Sequence, residues 1–377
     1  MGTRTRPFGS PRNVALALVV LAAAAMVWAR ATFSDRFFLS PESAALTSAD
    51  VRIQFWYGPT QAFGQKGNPQ RWINVLGNIQ PAEEVRRATF SVNGGQPRTL
   101  ALGGDLHRLA LAGDFNAELS WDDVDPGENV VTVEATLRNG AVAREDLTLV
   151  VGKGNSLPLP HRIDFSELEN LQDEVQVVDG HWRLDPDGIR TTQRYYDRVL
   201  SFGDTTWTDY EVSVRLTVHD FTPPEPSPPT FNVTHFGVAM RWRGHHADGL
   251  QPSQQWGPLG AQGELLVKTS PDSARWRILF DQAQEKPPLY SEKRNTLPIG
   301  QPIRIKTQVV TLPDGRSRYR FKQWTDGQPE PSDWDVEGFE ADDYSSGSVC
   351  LVPHHTDVTI HEVRVEPVSR VERTPRE

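Results

Sequence analysis

The sequence predicts an all-β protein made of two consecutive antiparallel sandwiches, preceded by a hydrophobic segment at the N-terminus. Apolar and polar residues alternate with a period of two in many short segments, which is the pattern of half-buried strands. Gly and Pro each number 29 among 377 residues, and they fall between those segments as turn residues do. Beyond the N-terminal segment, no stretch carries the apolar period of a helix longer than two turns.

The N-terminus has the composition of an export signal. Basic residues precede an uninterrupted apolar stretch, residues 14–29, and Ala29-Arg30-Ala31 fits the small-x-small pattern of a cleavage site. The stretch is shorter than the about 20 residues of a spanning helix, although residues as far as Phe33 extend it. We expect residues 1–31 to be a signal peptide or, alternatively, a signal anchor that holds the protein in the inner membrane through residues 14–33.

This signal predicts a protein that works outside the cytoplasm, in the periplasm or the extracellular space, and that meets a membrane only through its N-terminal segment. Residues 32–50 are polar and rich in Ser and Ala, and we expect them to form a linker.

Residues 51–152 predict the first sandwich. Residues 71–79 have the composition of a strand, and residues 88–92 alternate before Asn93-Gly94-Gly95, whose residues tolerate the positive φ of a hairpin turn. The clearest alternation covers residues 131–137. About seven short strands in about 100 residues is the count expected of an immunoglobulin-like sandwich.

Residues 153–160 combine glycines with two prolines and predict a short, semi-stiff connector. The second sandwich is predicted over residues 161–368, and residues 369–377 are expected to be a disordered tail. Its clearest strand spans residues 211–219, where four aliphatic side chains share one face: Val212, Val214, Leu216 and Val218. Burying these four contributes on the order of 6–12 kcal/mol, which pins the register of the strand.

Further elements of this sandwich follow from turn chemistry. Residues 265–268 and 276–280 predict one hairpin, and residues 303–306 and 318–321 predict another across Pro313-Asp314-Gly315. In the closing strand the alternation slips by one residue at Glu362, which indicates a β-bulge.

Composition excludes some functions. The formal net charge of −10 argues against nucleic-acid binding, which needs a basic face. The single cysteine, Cys350, excludes an internal disulfide, and its apolar neighbours predict a small buried thiol.

Two resemblances follow from the strands. Residues 51–152 resemble the immunoglobulin-like modules of bacterial surface proteins, through Trp72-Ile73-Asn74-Val75-Leu76-Gly77 and the Phe90-Ser91-Val92-Asn93-Gly94-Gly95 hairpin. Residues 161–368 resemble the concanavalin A-like lectin/glucanase superfamily, which includes laminin-G-like jelly rolls, through Trp207-Thr208-Asp209-Tyr210-Glu211-Val212 and Phe236-Gly237-Val238-Ala239-Met240-Arg241-Trp242. The second resemblance implies a two-sheet jelly roll of a kind that often binds glycans and also hosts glycosidases and lyases.

The resemblance also supplies a test for catalysis. Laminarinase-like members of the superfamily carry their catalytic carboxylates as Glu-x-Asp-x-x-Glu on one strand. Glu340-x-Asp342 begins this signature, but Ser345 stands where the second Glu should be. The missing carboxylate argues against family-type hydrolysis and leaves the enzyme question open, with a non-catalytic role favoured.

One cluster of side chains has the composition of a sugar site. A Trp face stacks on a sugar ring, and Arg and His donate to its hydroxyls. The candidate ligand-binding residues are Arg241, Trp242, Arg243, His245, His246 and Trp256. Strict alternation puts Arg241 and Arg243 on one face of the strand and Trp242 on the other, so a core Trp flanked by solvated arginines is the competing interpretation.

Two kinds of metal site are candidates. His245-His246 with Asp248, and His354-His355 with Asp357, offer ligands for transition metals, although adjacent histidines on a strand point opposite ways. No cofactor follows from the sequence with certainty. Ca²⁺ is common in laminin-G-like folds and needs oxygen ligands, for which the candidates are Asp204, Asp209, Asp342 and Asp343.

The sequence therefore favours an exported or membrane-tethered protein whose jelly roll binds a polysaccharide or cell-surface glycan and whose immunoglobulin-like domain acts as a spacer. Two alternatives remain open. One is a polysaccharide-active glycoside hydrolase or lyase with a nonstandard site that uses His245, His246 and a carboxylate, and the other is a purely structural surface protein.

Overall fold

A computed structural model describes residues 47–105, 107–221, 233–267, 270–281 and 286–368. The predicted signal segment, most of the predicted linker and the predicted C-terminal tail lie outside these residues, so those predictions stand as they were. Among the described residues, no helix is long and apolar enough to cross a membrane.

The regular secondary structure of the described residues consists almost entirely of strands. The strands are β1 Arg52–Phe55, β2 Thr60–Phe63, β3 Trp72–Gln80, β4 Val85–Val92, β5 Arg98–Leu100, β6 Asp114–Ser120, β7 Gly127–Leu137, β8 Val142–Val151, β9 His161–Asp164, β10 Gln176–Asp179, β11 Trp182–Asp185, β12 Gly188–Thr191, β13 Val199–Phe202, β14 Tyr210–Asp220, β15 Thr234–Trp242, β16 Ala261–Val267, β17 Arg275–Phe280, β18 Leu289–Tyr290, β19 Pro302–Thr311, β20 Ser317–Thr325, β21 Val336–Glu340, β22 Ser348–His354 and β23 Asp357–Pro367. The helical elements in this part of the chain are single 3₁₀ turns: Ser48–Asp50, Ala82–Glu84, Trp121–Asp123, Phe165–Glu167, Leu171–Asp173 and Pro271–Ser273. The all-β class predicted from the sequence is confirmed.

Two sheets are built from the first eight strands. One has the order β1-β3-β6 and the other the order β2-β8-β7-β4-β5. Alternate side chains of β7 are buried from Val131 to Leu137, and the first three of them, Val131, Val133 and Ala135, pack with Phe90 and Phe115 in one core. The pairing is antiparallel except between β2 and β8, which run parallel. The hairpin turn predicted at Asn93 is present, with φ of 49° at Asn93 and 70° at Gly94.

Two larger sheets are built from the remaining strands. A seven-stranded sheet has the order β10-β13-β22-β15-β16-β17-β18. An eight-stranded sheet has the order β11-β12-β23-β14-β19-β20-β21, and its eighth strand, β9, also pairs with β23. The predicted inner face of β14 is fully buried in the core that includes strands of both sheets. Both predicted hairpins form, as β16–β17 and β19–β20.

The predicted bulge in the closing strand is confirmed, one residue earlier than expected. Arg215 of β14 pairs with Glu362, whereas Leu216 pairs with Ile360, so His361 is the extra residue. The His361 side chain is held there by contacts to Thr217 and to the carbonyl of Asp187.

Cys350 lies on β22 and is fully buried, as its neighbours predict. Burial raises the pKa of its thiol well above the usual range. We expect the native protein not to react with an aromatic disulfide reagent, and the same thiol to be titrated after unfolding in guanidinium. Rapid labelling of the native protein would contradict this packing.

Candidate functional site

The sequence-predicted cluster begins at a bulge that ends strand β15. The register of β15 against β22 shifts between Met240 and Trp242, and Arg241 has a φ of 55°. The extra residue inverts the alternation, so Trp242 packs on the side of the sheet that carries Ala239 and Cys350. Arg241 points instead toward the eight-stranded sheet. Both side chains are fully buried, so neither faces a ligand as the sequence analysis expected.

Arg241 holds a network between the two large sheets. Its guanidinium forms ion pairs with Asp343 at 2.7 Å and with Asp209 at 3.2 Å. It also donates to the hydroxyl oxygens of Ser317 at 2.6 Å and Thr311 at 2.8 Å. Arg241 therefore stabilises the packing of the two large sheets against each other.

The remaining members of the predicted ligand cluster lie at the junction of the two sheet pairs. His245 is buried edge-on to Trp242 and Trp256, with ring centroids 5.2 Å apart in each case. Burial lowers the pKa of His245 well below its usual value. Trp72 donates to the carbonyl of His245 at 2.7 Å. These contacts make the segment a packing element, which does not fit a catalytic role for this histidine.

Arg243 and His246 are partly exposed. The Arg243 guanidinium donates to the carbonyl and the hydroxyl of Ser346, at 3.0 and 2.8 Å. The backbone N–H of His246 donates to the carbonyl of Gln255 at 3.1 Å. Asp248, the partner considered for the two histidines, accepts instead from backbone N–H groups of its own loop, including that of Leu250.

The four aspartates considered for Ca²⁺ do not form one site. Asp209 and Asp343 are the partners of Arg241. Asp204 accepts hydrogen bonds from Thr206, Asn68 and Leu157. Asp342 is exposed and lines a separate hollow with Asp343 and Asp281. The guanidinium of Arg241 supplies a positive charge between the carboxylates of Asp209 and Asp343.

A buried ion-pair triad joins the two sheet pairs. The Arg108 guanidinium contacts Glu118 at 2.7 Å and Asp179 at 2.8 Å, and all three side chains are at most 3% exposed. Asn116 donates to the carbonyl of Val178 at 2.8 Å across the same junction. The described residues from Ser48 onward accordingly form one compact unit. The first sheet pair is thus packed against the second through buried contacts, and a domain that acted only as a spacer would not need such contacts.

An open groove crosses the outer face of the eight-stranded sheet. Its volume is about 810 Å³, and strands β23, β14, β19 and β20 form its floor. The segment after β20, residues 326–330, forms one wall. The lining residues are Glu211, Ser213, Arg215, Arg304, Lys306, Trp324, Asp326, Gly327, Gln328, Pro329, Glu330, Glu362, Arg364 and Glu366.

The floor of the groove follows from strand register. One cross-strand row is Glu362, Arg215, Arg304 and Trp324, and the next is Arg364, Ser213, Lys306 and Lys322. The side chain of Ser213 is much shorter than the others in its row, so it leaves free space above the sheet at this position. The partly exposed Trp324 stands at the end of its row.

The groove is polar and held in shape by ion pairs. Asp326 pairs with Arg215 at 2.7 Å and with Arg304 at 2.6 Å, and Glu330 pairs with Lys306 at 2.9 Å. Four basic and five acidic residues line it, so the positive and negative charges nearly cancel. Such a surface offers hydrogen-bond donors and acceptors in alternation without a strong field of either sign.

A histidine cluster on the seven-stranded sheet is a second site that sequence reasoning missed. His235 of β15 pairs in register with His354 of β22, and their rings stack at 4.7 Å with an interplanar angle of 8°. Asp197, just before β13, contacts Nδ1 of His354 through Oδ1 at 2.8 Å. Spacing along the sequence places His354 with His355 and Asp357, but Asp357 forms an ion pair with Arg190. Only the strand pairing brings His235 to this place.

The described chain is, by its fold, an all-β protein of two sheet pairs with an open polar groove on one outer face. No family model matches it, and no curated protein matches it. Several solved structures are similar to parts of it.

The VIP36 exoplasmic/lumenal domain, in a form bound to Ca²⁺ and Man3GlcNAc, shares 10% identity at a TM-score of 0.34, over 55% of this chain and 88% of that one. A legume lectin-like domain from Entamoeba histolytica shares 6% identity at a TM-score of 0.35, over 52% and 91%. The Crh5 transglycosylase in complex with NAG shares 10% identity at a TM-score of 0.37, over 56% and 85%. Likenesses of this degree transfer neither a ligand nor a residue role.

Proposed function

We propose that this protein is exported and binds an uncharged polysaccharide in the groove on the outer face of the eight-stranded sheet. The observation that carries the proposal is the groove itself, where Trp324 stands beside rows of ion-paired side chains over a rigid sheet floor. Export rests on the basic, apolar and small-residue pattern of residues 1–31. The groove replaces the cluster around Arg241 as the candidate ligand site.

The chemistry of the groove matches a sugar chain. Each sugar hydroxyl is both a donor and an acceptor, and the groove presents Arg and Lys donors next to Asp and Glu acceptors. The exposed part of the Trp324 ring offers an apolar face to the C–H side of a sugar ring. Because acidic residues slightly outnumber basic ones, a polyanionic glycan is disfavoured.

We expect Trp324→Ala to weaken binding of a neutral polysaccharide about tenfold, because the stacking contact contributes about 1–1.5 kcal/mol. The measurement is calorimetry with a panel of neutral and anionic polysaccharides. Phe339→Ala is the matched control, since Phe339 is an exposed aromatic residue on the same sheet outside the groove.

A second variant separates loss of stacking from loss of space. Ser213→Tyr fills the groove above β14 without touching the core, so it should abolish binding while the unfolding midpoint stays near that of the parent protein. The proposal fails if no neutral polysaccharide binds at millimolar concentration, or if both variants bind as the parent does.

A further inference from the structure

The side chains of Asp197, His235 and His354 converge on the seven-stranded sheet. His235 lies on β15 and His354 on its neighbour β22, and Asp197 lies two residues before β13, the strand on the other side of β22. The segment with Asp197 is fixed by two backbone hydrogen bonds, from Arg198 to the carbonyl of Pro353 at 3.0 Å and from His355 to the carbonyl of Tyr195 at 2.8 Å. One ligand atom from each of the three side chains lies within 4.8 Å of the others. Backbone pairing alone therefore sets up the cluster.

Several imidazole nitrogens in this cluster have no hydrogen-bond partner. Both nitrogens of His235 and Nε2 of His354 are buried and have no hydrogen-bond partner among the described residues, and each of the two residues is 4% exposed. An unsatisfied buried polar group costs about 1–3 kcal/mol, and native proteins rarely keep several together. Stacking accounts for the contact between the two rings, but it gives these nitrogens no polar partner.

We propose that Asp197, His235 and His354 bind a divalent first-row transition metal ion, for which Zn²⁺ is the best-matched probe. Two imidazoles and one carboxylate are a ligand set that Zn²⁺ and its neighbours prefer, whereas Ca²⁺ requires oxygen ligands. Ligand atoms around a tetrahedral Zn²⁺ lie about 3.3 Å apart. The nitrogen lone pairs of the two stacked rings are nearly parallel, so metal binding requires one imidazole to rotate out of the stack.

The surroundings supply an outer support and an opening. Glu264 lies 3.6 Å from Nε2 of His235 and is itself held by Arg277 and by Gln262, so it can orient the ring. The Asp197 side chain is 19% exposed, which gives an ion access from solvent and leaves room for a water ligand. Three protein ligands and one open position is the arrangement of many zinc sites.

The test is metal binding by the purified protein after treatment with a chelator. We expect one Zn²⁺ per chain by calorimetry, a Zn²⁺-dependent rise in the thermal unfolding midpoint, and visible absorption bands with Co²⁺ that report nitrogen and oxygen ligands. Asp197→Asn, His235→Gln and His354→Gln should each weaken Zn²⁺ binding by about 100-fold or more. His219→Gln is the matched control, because His219 contacts Thr359 outside the cluster and should leave binding unchanged.

Folding of the variants is judged without metal, by the far-ultraviolet circular dichroism spectrum. Asp197→Asn keeps the shape of a partly exposed side chain, so at least one ligand variant is expected to fold as the parent does. A parent chain that binds neither Zn²⁺ nor Co²⁺ overturns the proposal, as does unchanged binding in all three folded ligand variants. Neither outcome depends on the polysaccharide groove, which lies on the other sheet.

Discussion

Replacing Arg241 by leucine is expected to lower the free energy of unfolding by about 3–5 kcal/mol. The guanidinium is 1% exposed and compensates two carboxylates, those of Asp209 and Asp343, which are themselves at most 4% exposed. Without Arg241, two buried negative charges keep their desolvation cost and lose their counter-charge. The hydroxyl groups of Thr311 and Ser317 lose a donor at the same time.

Urea unfolding followed by tryptophan fluorescence measures this effect. Arg316→Leu is the control, since Arg316 pairs with Asp314 at the surface and both side chains are more than 40% exposed. We expect the control to leave the unfolding midpoint nearly unchanged. Equal midpoints for the two variants would mean that Arg241 does not hold the two sheets together.

Most strands follow from local pattern because one face of each is dry. In β7 and β14 the alternation of side chains matches the observed burial residue by residue over their central parts. The turn at Asn93-Gly94 is equally local, because positive φ is a property of the residues themselves. Such signals need no knowledge of what a strand pairs with.

The end of β15 could not be predicted in this way. Its nine residues are all buried, so the strand has no polar face to set the alternation, and a bulge at Arg241 exchanges the directions of Arg241 and Trp242. An arginine buried among carboxylates has the same sequence signature as one that faces solvent. The groove could not be predicted for a different reason. Charged residues like those that line it occur on the exposed face of any strand, so they do not indicate a groove.

The histidine cluster depends on contacts between distant parts of the chain. His235 and His354 meet only because β15 pairs with β22, and Asp197 comes from the segment just before β13, which also pairs with β22. Spacing along the sequence instead groups adjacent residues such as His354 and His355 into one candidate site, and the ring planes of these two residues are 87° apart. Pairing between strands far apart in sequence is the information that local alternation lacks.

Arg108→Leu is expected to have a comparable effect, about 3–5 kcal/mol, at the junction of the two sheet pairs. Arg108 lies between Glu118 and Asp179 with all three side chains buried, and it also donates to the carbonyl of Ser253. Burial raises the pKa of Asp179 to about 6 even with Arg108 beside it, so the ionised form of this carboxylate is already disfavoured in the folded protein. Removing the guanidinium raises that pKa further.

The pH dependence distinguishes lost charge pairing from lost packing. A carboxyl group whose folded-state pKa lies above its unfolded value stabilises the fold at low pH, and this stability is lost as pH rises through the folded pKa. The Arg108→Leu variant should therefore lose more stability than the parent between about pH 4 and pH 7. Adding Glu118→Gln and Asp179→Asn removes the unpaired charges and should recover part of the loss. A loss of stability that is the same at every pH, and that the Glu118→Gln and Asp179→Asn substitutions do not reduce, would show that Arg108 acts through its volume alone.

Arg98→Leu is the control, because it breaks a half-exposed ion pair with Asp123 that solvent already screens. This variant should show neither the large loss of stability nor the pH dependence.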